Sequence, residues 1–127
     1  MRLWQHHMKS MKLIIKGELT DLNTYINAER SNRFMGAKIK KDNTIKVYWA
    51  CKEQKLKKIK IPVDMNYKWY CKNKRKDKDN ISFARKFIQD GLILAGILEN
   101  DGWENIYGFS DEFYIDAKNP RIEVNII

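Results

Sequence analysis

Three aspartates and a lysine within residues 74–103, KRKDKDNISFARKFIQDGLILAGILENDGW, are the side chains best placed to do chemistry. Asp77 and Asp79 lie where a segment of alternating apolar residues hands over to one of helical period. Two residues apart, they would share a face of a continuous strand, and irregular backbone at a junction can likewise turn both the same way. Asp101 follows the helical segment and comes near them if the strands before and after that helix are neighbours. Three hard oxygen donors with open water positions suit Mg²⁺, with Mn²⁺ as the substitute ion. Such an ion polarises a phosphodiester and lowers the pKa of an attacking water. Lys86, seven residues past Asp79, would stand two helical turns along on the same side, within reach of a phosphate oxygen. Each residue also has a plainer role. Asp79 suits a helix N-cap, Asp77 a surface ion pair with Lys76 or Lys78, Asp101-Gly102 a turn, and Lys86 with Asp90 an i,i+4 pair.

The charge distribution supplies a partner for such a site. The formal net charge is +9. Between Arg30 and Lys78 lie 17 of the 25 basic residues but only four of the 16 acidic ones, whereas beyond Lys78 nine acidic residues face four basic ones. A basic half beside an acidic remainder attracts polyanions, and phosphate neutralisation makes nucleic acid the favoured partner over ordinary lysine solvation. The lysines are spread over several elements, unlike a membrane-surface helix. No apolar run approaches the roughly 18–20 residues that cross a bilayer. Cys51 and Cys71 lack metal-ligand spacing, so free thiols and a cytoplasmic location are expected. Residues 1–10 read as a disordered extension in which His6 and His7 are not expected to be ligands.

The elements that must position the site follow from periodicity. Met11–Gly17 reads as a buried first strand, and Glu18–Arg30 as a loop or short helical turn with Thr20 or Asp21 as a cap. Arg33 to about Lys55 fits a helix whose apolar set is Phe34, Ala37, Ile45, Tyr48, Trp49 and Cys51, with a kink or cap at Asp42-Asn43-Thr44. From Ile59 to Cys71 every odd residue is apolar, a half-buried strand in which Pro62 argues for an edge or an early position. Tyr67 and Trp69 fall on its core face. Asn80–Ala95 is helical, with Asp79 as its N-cap and Gly96 as its stop. A long strand over Ile106–Ile115 follows, then a terminal strand over Arg121–Ile127 expected to form a hairpin with a neighbour. This β-α-β-α-β-β order indicates an α+β domain, a small mixed or antiparallel sheet of about four strands with two main helices packed on one face.

The run DKDN, then KFIQDGL, then AGILENDGW resembles the RusA family of Holliday junction resolvases, small endonucleases common in phages and prophages. The family pattern is Asp-x-Asp-Asn, a helix with Lys and Asp four apart, a Gly-containing turn and a closing Asp. Asp77, Asp79 and Asn80 match the first part, Lys86 and Asp90 the second, and Asp101 the last. The interval from Asn80 to Lys86 is about one helical turn longer than in the bacterial archetype. The resemblance implies that residues 11–127 form one RusA-like endonuclease domain that resolves four-way junctions by paired, Mg²⁺-dependent phosphodiester hydrolysis in recombination, replication or repair. Asp77, Asp79 and Asp101 would hold metal and Lys86 would stabilise phosphate charge, supported by Asn80 and Asp90, with no small-molecule cofactor. Opposed cuts in a two-fold junction imply a homodimer. Arg30, Arg33, Lys38, Lys40, Lys41, Lys72, Lys74, Arg75 and Lys76 would contact phosphates, which position DNA without reading sequence. Phe34 and Trp49 are candidates for stacking at the open junction, although core packing is the expected role of each. The rival reading is a DNA- or junction-binding dimer of the same fold that does not cut.

Overall fold

A computed structural model describes residues 10–127; the two histidines and all but the last residue of the N-terminal extension lie outside the described residues. The order is β1 (Met11–Lys16), α1 (Leu22–Ser31), α2 (Arg33–Glu53), β2 (Val63–Cys71), α3 (Lys78–Ser82), α4 (Arg85–Leu94), β3 (Ile106–Ile115) and β4 (Arg121–Ile126). This is the α+β architecture expected, a four-stranded mixed sheet with helices against one face. The sheet order is β1-β4-β2-β3.

The strict alternation of β2 sends Val63, Met65, Tyr67, Trp69 and Cys71 into the core, where they meet Val47 of α2 and Phe87, Ile88 and Leu92 of α4. The strand is shorter than the alternation suggested. Pro62 cannot donate to a ladder, and Ile59 is buried in a loop whose amide bonds the Ile97 carbonyl at 2.8 Å. Nor is β2 an edge. It pairs in parallel with β3 and antiparallel with β4. The terminal strand therefore makes no hairpin with β3 but inserts between β1 and β2, in register Met11↔Ile126 on one side and Met65↔Ile126 on the other. β2 and β3 are the sheet neighbours that the carboxylate hypothesis asks for, but their parallel register sets Asp77 and Asp79 beyond the Cys71–Ile115 end of the pair and Asp101 before its Val63–Ile106 end, with α3 and α4 as the crossover.

The stretch after β1 is a ten-residue helix rather than a loop, because Asp21 caps it strongly. Asp21 Oδ2 accepts from the Thr24 amide at 3.2 Å and Oδ1 from the Thr24 hydroxyl at 2.7 Å, with the Lys76 ammonium 3.4 Å away. Burial opposes its charge, but the Thr24 bonds and Lys76 outweigh it and hold the carboxyl below its ordinary 3.8. A depressed folded pKa gives stability that is present above the unfolded pKa and lost as pH falls through the folded value. Asp21→Ala is expected to lower unfolding free energy by about 1 kcal/mol at neutral pH. The difference should shrink below the ordinary carboxylate range, as urea titrations at several pH values would show.

In α2 the buried stripe is Gly36, Asn43, Val47 and Cys51. Asn43 neither kinks nor caps the helix. Its side chain accepts from the Thr20 amide and donates to the Ile39 carbonyl and the Thr20 hydroxyl, all within 3.0 Å, so a polar residue sits satisfied on the inner face. Phe34 and Trp49 consequently point outward, 70% and 57% exposed, against the expectation of core packing.

Candidate functional site

The helix expected over Asn80–Ala95 is two helices. Tight three-residue hydrogen bonds from Ala84 to Ile81, Lys86 to Phe83 and Phe87 to Ala84 wind the chain through Phe83–Ala84. Phe83 and Phe87 pack edge to face there, and Tyr25 of α1 covers both. This extra winding changes the face on which Lys86 emerges. Asp77, not Asp79, occupies the N-cap position of α3, and its side chain makes no capping bond. Asp79 lies in the first turn, where Oδ1 accepts from the Asn80 amide at 2.9 Å. Asn80 Oδ1 in turn accepts from the Asn23 amide at 2.9 Å and so ties α3 to the start of α1.

Asp77 and Asp79 open onto a groove with Lys74, Lys76 and Lys78, closed on the sheet side by Phe113, Tyr114 and Ile115 of β3. Outside that groove, Lys86 Nζ lies 3.1 Å from Asp101 Oδ2 and 3.3 Å from Asp90 Oδ1. The hydrogen bond to Asp101 raises the Lys86 pKa above its ordinary 10.5; partial burial works against this, and Asp90 reinforces it. The ammonium is thus held charged. Asp90 Oδ2 is buried without a hydrogen-bond partner among the protein atoms, an acceptor left open beside this pair.

Asp111 is a further charged group that was not anticipated. It forms an ion pair with Arg85 and accepts from the Trp69 indole at 2.8 Å, and Arg85 also lies over the Phe109 ring, 4.3 Å from its centroid. Arg85, Asp111 and Asp101 all act electrostatically on the buried Tyr67 hydroxyl, which accepts from Gln89 at 3.1 Å and whose pKa burial pushes up to about 12. The only sequence signal for Asp111 was its place two residues from both Phe109 and Phe113, an acidic residue on the helix-facing side of a strand.

The structure therefore brings Lys86 to Asp101 and Asp90, and Asp77 and Asp79 to one groove. It does not gather three carboxylates around one point: among the described residues no three His, Cys, Asp or Glu side chains stand close enough to hold an ion. The donor chemistry suits Mg²⁺, since every candidate offers hard oxygen. Asp101, however, is engaged by Lys86, so sharing an ion with Asp77 and Asp79 requires that ion pair to open.

The proposed phosphate contacts divide. Lys72 faces Glu18 at 3.9 Å, Lys76 faces Asp21 and Lys38 faces Asp42 at 2.7 Å, so these three hold structure as well as charge. Arg30, Arg33, Lys40 and Lys41 are exposed on the α1–α2 hairpin, and Lys74 and Arg75 are exposed before α3. Cys51 and Cys71 are buried free thiols. Among the described residues no helix is long and apolar enough to cross a membrane. No family model and no curated protein matches this sequence.

Proposed function

We propose that the protein is a Mg²⁺-dependent endonuclease of the RusA type, acting as a homodimer on four-way DNA junctions in recombination, replication or repair. The observation that carries this reading is the Lys86–Asp101 contact. A cation at the start of α4 and a carboxylate beyond its end are joined, two of the groups that the resemblance assigns to one site. Asp77, Asp79 and Asp101 are the residues to hold the ion, which supplies Lewis acidity at the scissile phosphate when bound. Lys86 stays protonated and meets the non-bridging oxygens. Asn80 fixes the start of α3 against α1, and Asp90 steadies Lys86. Lys74, Arg75, Lys76, Arg30, Arg33, Lys40 and Lys41 receive the DNA backbone.

The test is a synthetic four-way junction with each strand end-labelled in turn. With Mg²⁺, nicks are expected at symmetric positions on two opposed strands. Without Mg²⁺, binding should weaken about 10³-fold between 50 and 200 mM salt if some six phosphates are neutralised. Tight, salt-sensitive binding with no cut in Mg²⁺ or Mn²⁺ would instead identify a non-catalytic junction-binding protein.

A further inference from the structure

Between them, α2 and α4 line an open groove of about 630 Å³. α2 contributes Ala37, Lys40, Lys41, Thr44 and Ile45, the i, i+3, i+4, i+7, i+8 stripe of one helix flank. From α4 come Asp90, Ile93 and Leu94. Half of this lining is apolar, and the apolar part meets solvent: Ile45 and Ile93 are half-buried and Leu94 is 57% exposed. The α2 wall is also positively charged. Lys38 is paired with Asp42, whereas Lys40 and Lys41 have no carboxylate within ion-pair reach among the described residues. The groove is, moreover, short of hydrogen bonds. Among the described residues, the two buried side-chain oxygens without a partner in the protein are Thr44 Oγ1 and Asp90 Oδ2, one from each wall. Native proteins satisfy buried polar atoms with water or a bound group, so a hydrogen-bonding group belongs beside each.

We infer that the α2–α4 groove docks an amphipathic helical segment of a partner protein. Its acidic edge meets Lys40 and Lys41, its apolar face covers Ile45, Ile93 and Leu94, and a hydrogen-bond donor faces Asp90. The stripe from Ala37 to Ile45 rises about 12 Å, room for two turns of such a helix. Helix-in-groove recognition seats apolar side chains three and four residues apart, the spacing both walls present. Charge selects the occupant. Asp90 Oδ1 already holds Lys86 at 3.3 Å, so the α4 wall offers an acceptor and no free cation. A phosphate backbone laid along the groove would meet that carboxylate, and duplex DNA has no apolar side chain to cover Leu94. A helix with acidic groups on one edge only satisfies the lysines and the apolar wall together. Docking here needs no nuclease activity, although the partner and DNA would meet the same Lys40 and Lys41.

Random peptides of about 12 residues, long enough for three helical turns, would be displayed on phage and panned against the full chain at physiological salt. Sequences combining acidic residues with apolar residues three and four apart should be enriched. A synthetic peptide of the enriched sequence, followed by fluorescence anisotropy, should lose about tenfold or more in affinity to Leu94→Gln, the loss of one leucine contact. Lys40→Gln with Lys41→Gln should weaken it too, and more so as salt is lowered. Leu94→Gln changes a surface position without changing charge, so its circular dichroism spectrum and its duplex DNA binding should match wild type. Enrichment without the acidic and apolar pattern would overturn docking in this groove. So would affinity that falls with the lysine pair but not with Leu94→Gln, since that describes charge attraction alone. Weakened duplex binding by Leu94→Gln would assign the groove to DNA and overturn it as well. Cleavage enters none of these readouts, so the nuclease reading stands or fails separately.

Discussion

Asp79→Asn and Asp101→Asn are each expected to reduce junction cleavage by at least about 10²–10³-fold, the loss typical when one group stabilising transition-state charge is removed. Both changes keep the shape of the side chain and remove its charge, and neither residue lies in the core, so folding should be unaffected. Binding of the junction without Mg²⁺ should hold or improve slightly, because a negative charge is removed from a surface that receives phosphates. Lys86→Ala separates the roles further. Lys86 occupies Asp101 at 3.1 Å and Asp90 at 3.3 Å, so it competes with any ion for Asp101. Its removal should lower cleavage yet leave Mn²⁺ affinity, measured by electron paramagnetic resonance titration, equal or higher. Retained cleavage in both aspartate variants would remove Asp79 and Asp101 from the metal site. Weakened Mn²⁺ binding in Lys86→Ala would show that the lysine supports the site rather than competes for it.

How far the sequence could foresee this arrangement depended on the range of the interactions. Alternation along Met65–Cys71 is a local property of a strand with one buried face, and it was legible. So was the stop at Gly96, whose φ of +75° lies in the left-handed region that glycine enters without strain. The inner face of α2 was not legible, because Gly36 and Asn43 point inward while Phe34 and Trp49 point out. Periodicity scores residue type and cannot know that Thr20, 23 residues earlier, satisfies a buried amide. Strand order was also hidden. The insertion of β4 between β1 and β2 rests on pairings more than 50 residues apart and leaves no local mark. The site was half legible. β2 and β3 are the neighbours that the approach of Asp101 required, but they run parallel, and the three aspartates do not come together. The i,i+4 pair of Lys86 with Asp90 was legible, but the contact of Lys86 with Asp101 was not, and Asp111 entered through a strand face that no catalytic pattern singled out.

Gly91→Ala is expected to destabilise the fold by about 1–3 kcal/mol, the cost of overpacking a close-packed contact. Two effects oppose each other at this position. Replacing glycine by alanine inside a helix ordinarily gains about 1 kcal/mol, because the unfolded chain loses freedom. At Gly91, however, an added Cβ would stand 2.5 Å from both Cβ and Cγ1 of Val47 and 3.1 Å from the Thr44 carbonyl oxygen. A β-branched side chain on a facing helix and a backbone oxygen cannot swing aside as the end of a lysine could. Relief would require α4 to move off α2, and α4 carries Arg85, Lys86 and Asp90. The clash should therefore win, lowering the urea midpoint with little change in slope. Loss of the bulky partner offers the decisive comparison. In the double variant Val47→Ala with Gly91→Ala the Cγ1 clash is removed while the Cβ contact stays, so the two costs should fall short of additive by about 0.5–3 kcal/mol. If Gly91→Ala alone raises stability, α2 and α4 do not meet at this glycine, and the helix that presents Lys86 is placed differently.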